Sequence, residues 1–176
     1  MSDSEMMQFI WSLKSDEISD VLADLLEADP GLTKKVYDIA LKVVGDVDPE
    51  DVMEDVFYEL EILDLDDLTS RSGRTQHGYV EPYEAAWELF EEKLEPFIDE
   101  MRKNQNRTLP AAAKNYCIGI IKGILKYEEE SDSDFKGWVE DAPGEYINTV
   151  FEEWKKGNPD DDAVAEVAKI IEEGSY

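Results

Sequence analysis

Apolar residues recur at helical spacing along most of the chain. Ile18, Val21, Leu22, Leu25 and Leu26 fall at steps of three and one, and Val36, Ile39, Ala40, Val43 and Val44 repeat the same interval. On a helix of 3.6 residues per turn each set draws one stripe. Val52, Val56, Leu60 and Leu63 form a third stripe. The longest runs through Tyr83, Trp87, Phe90, Leu94, Phe97, Ile98 and Met101, and because glutamates back it, Tyr83, Trp87, Phe90, Leu94 and Phe97 are expected to face the interior. No segment alternates apolar and polar residues as a half-buried strand does. The pattern predicts an all-α protein.

Capping chemistry marks the ends of these segments. Asp29-Pro30, Asp48-Pro49 and Asn158-Pro159 each put a side-chain acceptor before proline at a first helical position, and Ser2 with Glu5 has capping-box spacing. Gly45, Gly157 and Gly174 stand where a helix closes on a left-handed residue. Helices are expected over 3–13, 16–28, 30–44, 49–65, 81–104, 109–129, 143–156 and 160–173, about eight in all, stacked as antiparallel pairs in an α-solenoid or helical-repeat manner. Pro96 predicts a kink or break near 92–96. The polar stretch 66–80 reads as a loop dividing a single domain, 1–176, into helical halves 1–65 and 81–176.

Composition narrows the function. Hydrophobic residues make up 42% of the chain, enough for a core despite the charge. With 44 acidic residues against 17 basic ones the net charge is -27, a field that repels phosphate, so neither nucleic acid nor an anionic membrane is the expected partner. The acidity instead suits solubility in a salty cytoplasm or a basic protein partner. No apolar run reaches the length of a bilayer span, and Met1-Ser2-Asp3-Ser4-Glu5 lacks the basic start of a secretory signal, so a cytoplasmic location is expected.

Cys117 is the only cysteine, which excludes an internal disulfide, and within Tyr116-Cys117-Ile118 it reads as core. Gly119 and Gly123, four apart in the same apolar run, cost a helix about 1 kcal/mol each relative to alanine. Close packing of a neighbouring backbone would offset that.

Candidate chemistry is sparse. Asp132-Ser133-Asp134-Phe135-Lys136-Gly137 opens like a calcium loop, but Lys136 and Pro143 occupy ligand positions, so a capped acidic turn is the better reading. Glu84, Glu88, Glu91 and Glu92 line one side of the long helix, as the carboxylates of helical magnesium-dependent nucleotide hydrolases do. A second acidic pair is then needed on a facing helix, for which Glu61 with Asp64 or Glu129 with Asp132 are the candidates. His77 is the only histidine, so no site with two histidine ligands exists. No phosphate-binding glycine loop is present. The sequence therefore favours a protein–protein interaction module without a cofactor over the hydrolase. Tyr79, Tyr83 and Trp138 are the anchors proposed for a basic protein partner, and Arg71, Arg74 and His77 are the one local basic cluster.

One further likeness concerns architecture. Phe9-Ile10-Trp11-Ser12-Leu13, Glu17-Ile18, Asp29-Pro30-Gly31-Leu32 and Gly78-Tyr79-Val80-Glu81-Pro82-Tyr83-Glu84-Ala85-Ala86 succeed one another before the turn Ser131-Asp132-Ser133-Asp134. This succession resembles the helical region that accompanies SWIM-type zinc fingers in uncharacterised prokaryotic proteins. The resemblance implies a tetratricopeptide-like helical array. It does not carry the zinc finger, which needs three cysteines and a histidine.

Overall fold

The computed structural model describes residues 2–75 and 78–174. It is all-α among those residues, apart from one short hairpin. Helices α1 (Asp3–Trp11), α2 (Ser15–Ala28) and α3 (Thr33–Gly45) are followed by α4 (Pro49–Glu61), α5 (Leu65–Arg71), α6 (Pro82–Asn106), α7 (Pro110–Glu130), α8 (Ala142–Lys155) and α9 (Asp161–Gly174). The chain divides into two compact units, Met1–Val43 and Val44–Tyr176.

The described residues of the 66–80 stretch form more than a loop. Asp64 accepts from the amides of Asp66 and Asp67, Asp67 answers by accepting from the amide of Asp64, and Leu68 is buried, so a seven-residue helix nucleates there. Behind it, strands β1 (Gly73–Thr75) and β2 (Gly78–Val80) pair antiparallel with Arg74 opposite Tyr79. A single buried leucine is too weak a periodic signal to reveal such a helix in advance.

In the Val44–Tyr176 unit the core forms around α7, against which α4, α6, α8 and α9 pack. Val52, Val56, Leu60 and Leu63 are buried as their stripe predicts, and so is Cys117. The two glycines explain how α4 approaches: a Cβ on Gly119 would stand 2.5 Å from Val52 Cβ and 2.8 Å from the Pro49 carbonyl oxygen, and one on Gly123 would stand 2.6 Å from Val56 Cβ. The helix backbones meet where side chains are missing. Beside this seam Lys126 pairs with Glu54 at 2.7 Å and Lys122 with Glu50, repeating the step of four.

Four boundary expectations need correction. None of Gly45, Gly157 and Gly174 is left-handed. α6 runs without the expected break through Pro96, whose exposed position leaves the freed carbonyl on the solvent side, while Leu94 and Ile98 stay buried on either side. Asn158 does not cap α9; it is itself left-handed (φ 54), since the Gly157 amide still closes the last turn of α8 on the Trp154 carbonyl at 3.0 Å. Asp160 provides the cap by accepting from Ala163. The 3–10 turn Pro30–Leu32, capped by Asp29, precedes α3 where a continuous helix was expected.

Buried phenols make the core sensitive to alkali. Desolvation, reinforced by the charge of Glu61, pushes Tyr127 from the ordinary value near 10 up to about 12, and burial likewise raises Tyr116, Tyr146 and Cys117. The folded state therefore holds protons that the unfolded chain releases. Stability is complete below the unfolded values and drains away as pH climbs through the folded ones. A thermal melting series is expected to be flat from neutrality to about pH 8 and to fall steadily above about pH 9.

Candidate functional site

The long stripe of α6 divides where the helix meets the core. Phe90, Leu94, Ile98 and Met101 are buried, Trp87 and Phe97 are half-buried, and Tyr83 is 49% exposed. The expectation that Tyr83 points inward is thus corrected: the first turn of α6 projects beyond the core, while Ala85 and Ala86 fill the space beneath it. Tyr83 is nonetheless fixed. Its ring meets Trp87 at 5.7 Å, Trp87 meets Tyr146 of α8 at 6.0 Å, Tyr146 meets Phe90 at 5.5 Å, and Phe90 meets the fully buried Tyr127 of α7 at 5.9 Å. All four pairs are tilted, the favoured arrangement of aromatic quadrupoles. Tyr83 is the solvent end of an aromatic ladder rooted in the core.

The glutamate row of α6 lies beside the ladder. Glu88, Glu91, Glu92 and Glu95 line a depression of about 450 Å³ together with Arg102, and Glu84 continues the row one turn earlier. Two arginines hold carboxylates of its lining. Arg71 holds both oxygens of Glu92, at 2.5 and 2.7 Å, and this hydrogen bonding draws the Glu92 carboxyl below its usual range. Arg102 bonds to Glu153 at 2.9 Å and to Glu95 at 2.7 Å, which raises its own pKa. Glu84, Glu88 and Glu91 have no cation in ion-pair contact among the described residues. Glu91 adds its charge to the burial that raises the Tyr146 phenol.

The structure thus joins Glu88, Glu91 and Glu92, and links Tyr83 to Trp87. It leaves the other predicted residues separate. Tyr79 is 65% exposed on β2, and Trp138 is 41% exposed at the end of the 3–10 turn Asp134–Trp138; neither makes an aromatic contact among the described residues. The basic cluster is partly neutralised, because Arg71 serves Glu92, and His77 lies outside the described residues.

For the hydrolase alternative, Asp64 of the proposed facing pair is engaged in capping α5, while Glu61, at the last turn of α4, has one buried carboxylate oxygen without a hydrogen-bond partner among the described residues. Among the described residues no group of three or more histidine, cysteine or acidic side chains is placed to hold a metal ion. Around Asp132 the turn is closed by its own hydrogen bonds: Ser133 Oγ accepts from Phe135, and Lys136 Nζ donates to the carbonyls of Glu128 and Ser131. A lysine ammonium stands where a calcium loop would put a ligand. No helix among the described residues is long and apolar enough to cross a membrane.

Sequence reasoning could not find the ladder. Tyr127 and Tyr146 join it from α7 and α8, and only the packing of three helices brings them to Phe90. No protein-family model matches the chain, and it matches none of the curated proteins and none of the solved structures.

Proposed function

We propose that the chain is an acidic helical interaction module that takes a lysine- or arginine-rich protein segment, with Tyr83 as its principal anchor. The observation that supports this reading is the juxtaposition on α6 of an exposed, core-rooted aromatic ring and the carboxylates of Glu84, Glu88 and Glu91, which meet no cation among the described residues. A cation over an exposed ring gains about 0.5–1 kcal/mol, and more once desolvated. Rigidly held rings lose little entropy on binding, and nearby carboxylates steer a basic partner toward them. Tyr79 and Trp138 are proposed as secondary contacts. The resemblance to SWIM-associated helical regions adds an architecture to this reading; with one cysteine in the chain the finger of three cysteines and a histidine is not carried over with it.

The test is retention of basic proteins from a lysate of the source organism on the immobilised chain, at low and high salt. Expected is a basic protein held at low salt, with Tyr83→Ala weakening its affinity by about 2 kcal/mol, the scale of an interface hot spot, and Glu88→Gln slowing its association. Recovery of nucleic acid alone, or retention indifferent to Tyr83 and Glu88, refutes the reading. Calorimetry with magnesium addresses the hydrolase alternative: tight stoichiometric binding lost in Glu88→Gln would establish a metal site in place of a docking face.

A further inference from the structure

Helices α1 to α3 contain no buried residue, although each is amphipathic. Trp11 is 80% exposed and Val43 71%. On α2 the apolar row Ile18, Val21, Leu22, Leu25 faces solvent, and on α3 the row Val36, Ile39, Val43 is exposed or half-buried. The two rows share one spacing, a step of three then a step of four, the interval of residues that knit helices together in coiled coils.

Their charges are opposite. α2 carries Asp16, Glu17, Asp20, Asp24 and Glu27 with no cation, whereas α3 carries Lys34, Lys35 and Lys42 against Asp38. Among the described residues α3 is the only helix with more basic than acidic side chains. Its lysines also stand apart from those of the core helix: Lys114, Lys122 and Lys126 of α7 each hold a glutamate, while among the described residues Lys34, Lys35 and Lys42 hold none, and the carboxylates of Asp16, Asp20, Asp24 and Glu27 meet no cation.

Position sharpens the complementarity. Glu17 and Asp24 each precede a row residue, Ile18 and Leu25. Lys35 and Lys42 likewise precede Val36 and Val43. Seven residues separate the members of each pair, so each forms a charged edge on the same side of its stripe, viewed along its own chain direction. When two such helices lie face to face in parallel, these edges fall on opposite sides. In antiparallel arrangement they meet, Glu17 against Lys42 and Asp24 against Lys35.

We infer that Met1–Val43 is a self-association arm: α2 of one copy packs antiparallel on α3 of a second copy, and α3 of the first on α2 of the second. A two-fold axis makes both contacts identical, so the assembly closes as a dimer. The helices match in length, at 14 and 13 residues. A basic partner would suit α2 but repel the lysines of α3, and an acidic partner would do the reverse. A second copy satisfies both helices at once.

Sedimentation equilibrium of the full chain tests this. The parent is expected to sediment at twice the chain mass. Lys35→Glu/Lys42→Glu and Glu17→Lys/Asp24→Lys should each raise the dimer dissociation constant by at least about tenfold through like-charge contact, and an equimolar mixture of the two should restore the dimer as a heterodimer. Circular dichroism melting of each variant checks that the helices persist, and the mixing experiment keeps the test valid if the Glu17 change loosens the cap on Lys14. A monomeric parent at about 100 µM, where a dimer with a micromolar dissociation constant is mostly formed, overturns the inference. So does an assembly larger than two, a dimer indifferent to both reversals, or a mixture that stays monomeric.

Discussion

Replacing Phe90 by alanine is expected to destabilise the Val44–Tyr176 unit by about 3–5 kcal/mol, the range for emptying a fully buried aromatic site. Phe90 has no solvent exposure and touches both Tyr146 and Tyr127. Its removal leaves a cavity and also uncouples the outer part of the ladder from the core. Against a typical total of about 5–15 kcal/mol the loss is severe, and at roughly 2–4 °C per kcal/mol for a chain of this size it lowers the melting temperature by about 6–20 °C. Tyr83→Ala is the contrast. Half its surface is already wet, so it should melt close to the parent while removing the docking ring. If Phe90→Ala melts as the parent does, the ladder is not anchored in the core as described.

The paired variant Gly119→Ala/Gly123→Ala sets two known effects against each other. Alanine is the better helix former by about 1 kcal/mol at each position, so propensity alone predicts a more stable protein. Each added methyl, however, meets α4 closer than 3.0 Å, and among the atoms met are the carbonyl oxygens of Pro49 and Met53, which are backbone and do not rotate aside. Overpacking of this kind costs about 1–3 kcal/mol per site, and rigid neighbours put these two sites at the upper end. Net destabilisation of about 2–4 kcal/mol is expected for the pair, read as a shift of the denaturation midpoint. Gly144→Ala on α8 should move the other way by up to about 1 kcal/mol, because its added Cβ meets nothing within 4 Å. Stabilisation in both variants would mean that α4 and α7 do not approach as closely as described.

The candidate site was legible only in parts. The glutamate row of α6 and its aromatic stripe follow from periodicity along a single helix, which is local information. Which member of the stripe reaches solvent does not. Tyr83 and Phe90 occupy the same stripe seven residues apart, and only the end of the α7 and α8 surfaces beneath them separates an exposed ring from a buried one. The pairing of Arg71 with Glu92, 21 residues apart, is likewise set by how α5 folds back on α6, and it turns an expected free cation into a neutralised one.

From its sequence alone the chain is determined to be helical, with its helices in nearly the observed places, because apolar spacing, prolines and capping side chains act within a few residues of one another. The close approach of some backbone to Gly119 and Gly123 was foreshadowed as well, since two costly glycines on one face need a compensating contact. Which helices bury their stripes was decided only in three dimensions. α2 and α4 display the same periodicity, yet Val56 is sealed against α7 while Val21 lies open to solvent. A stripe states that a helix has apolar surface to bury; what it is buried against depends on partners distant in the chain or on another molecule, and an intrahelical pattern carries no information about either.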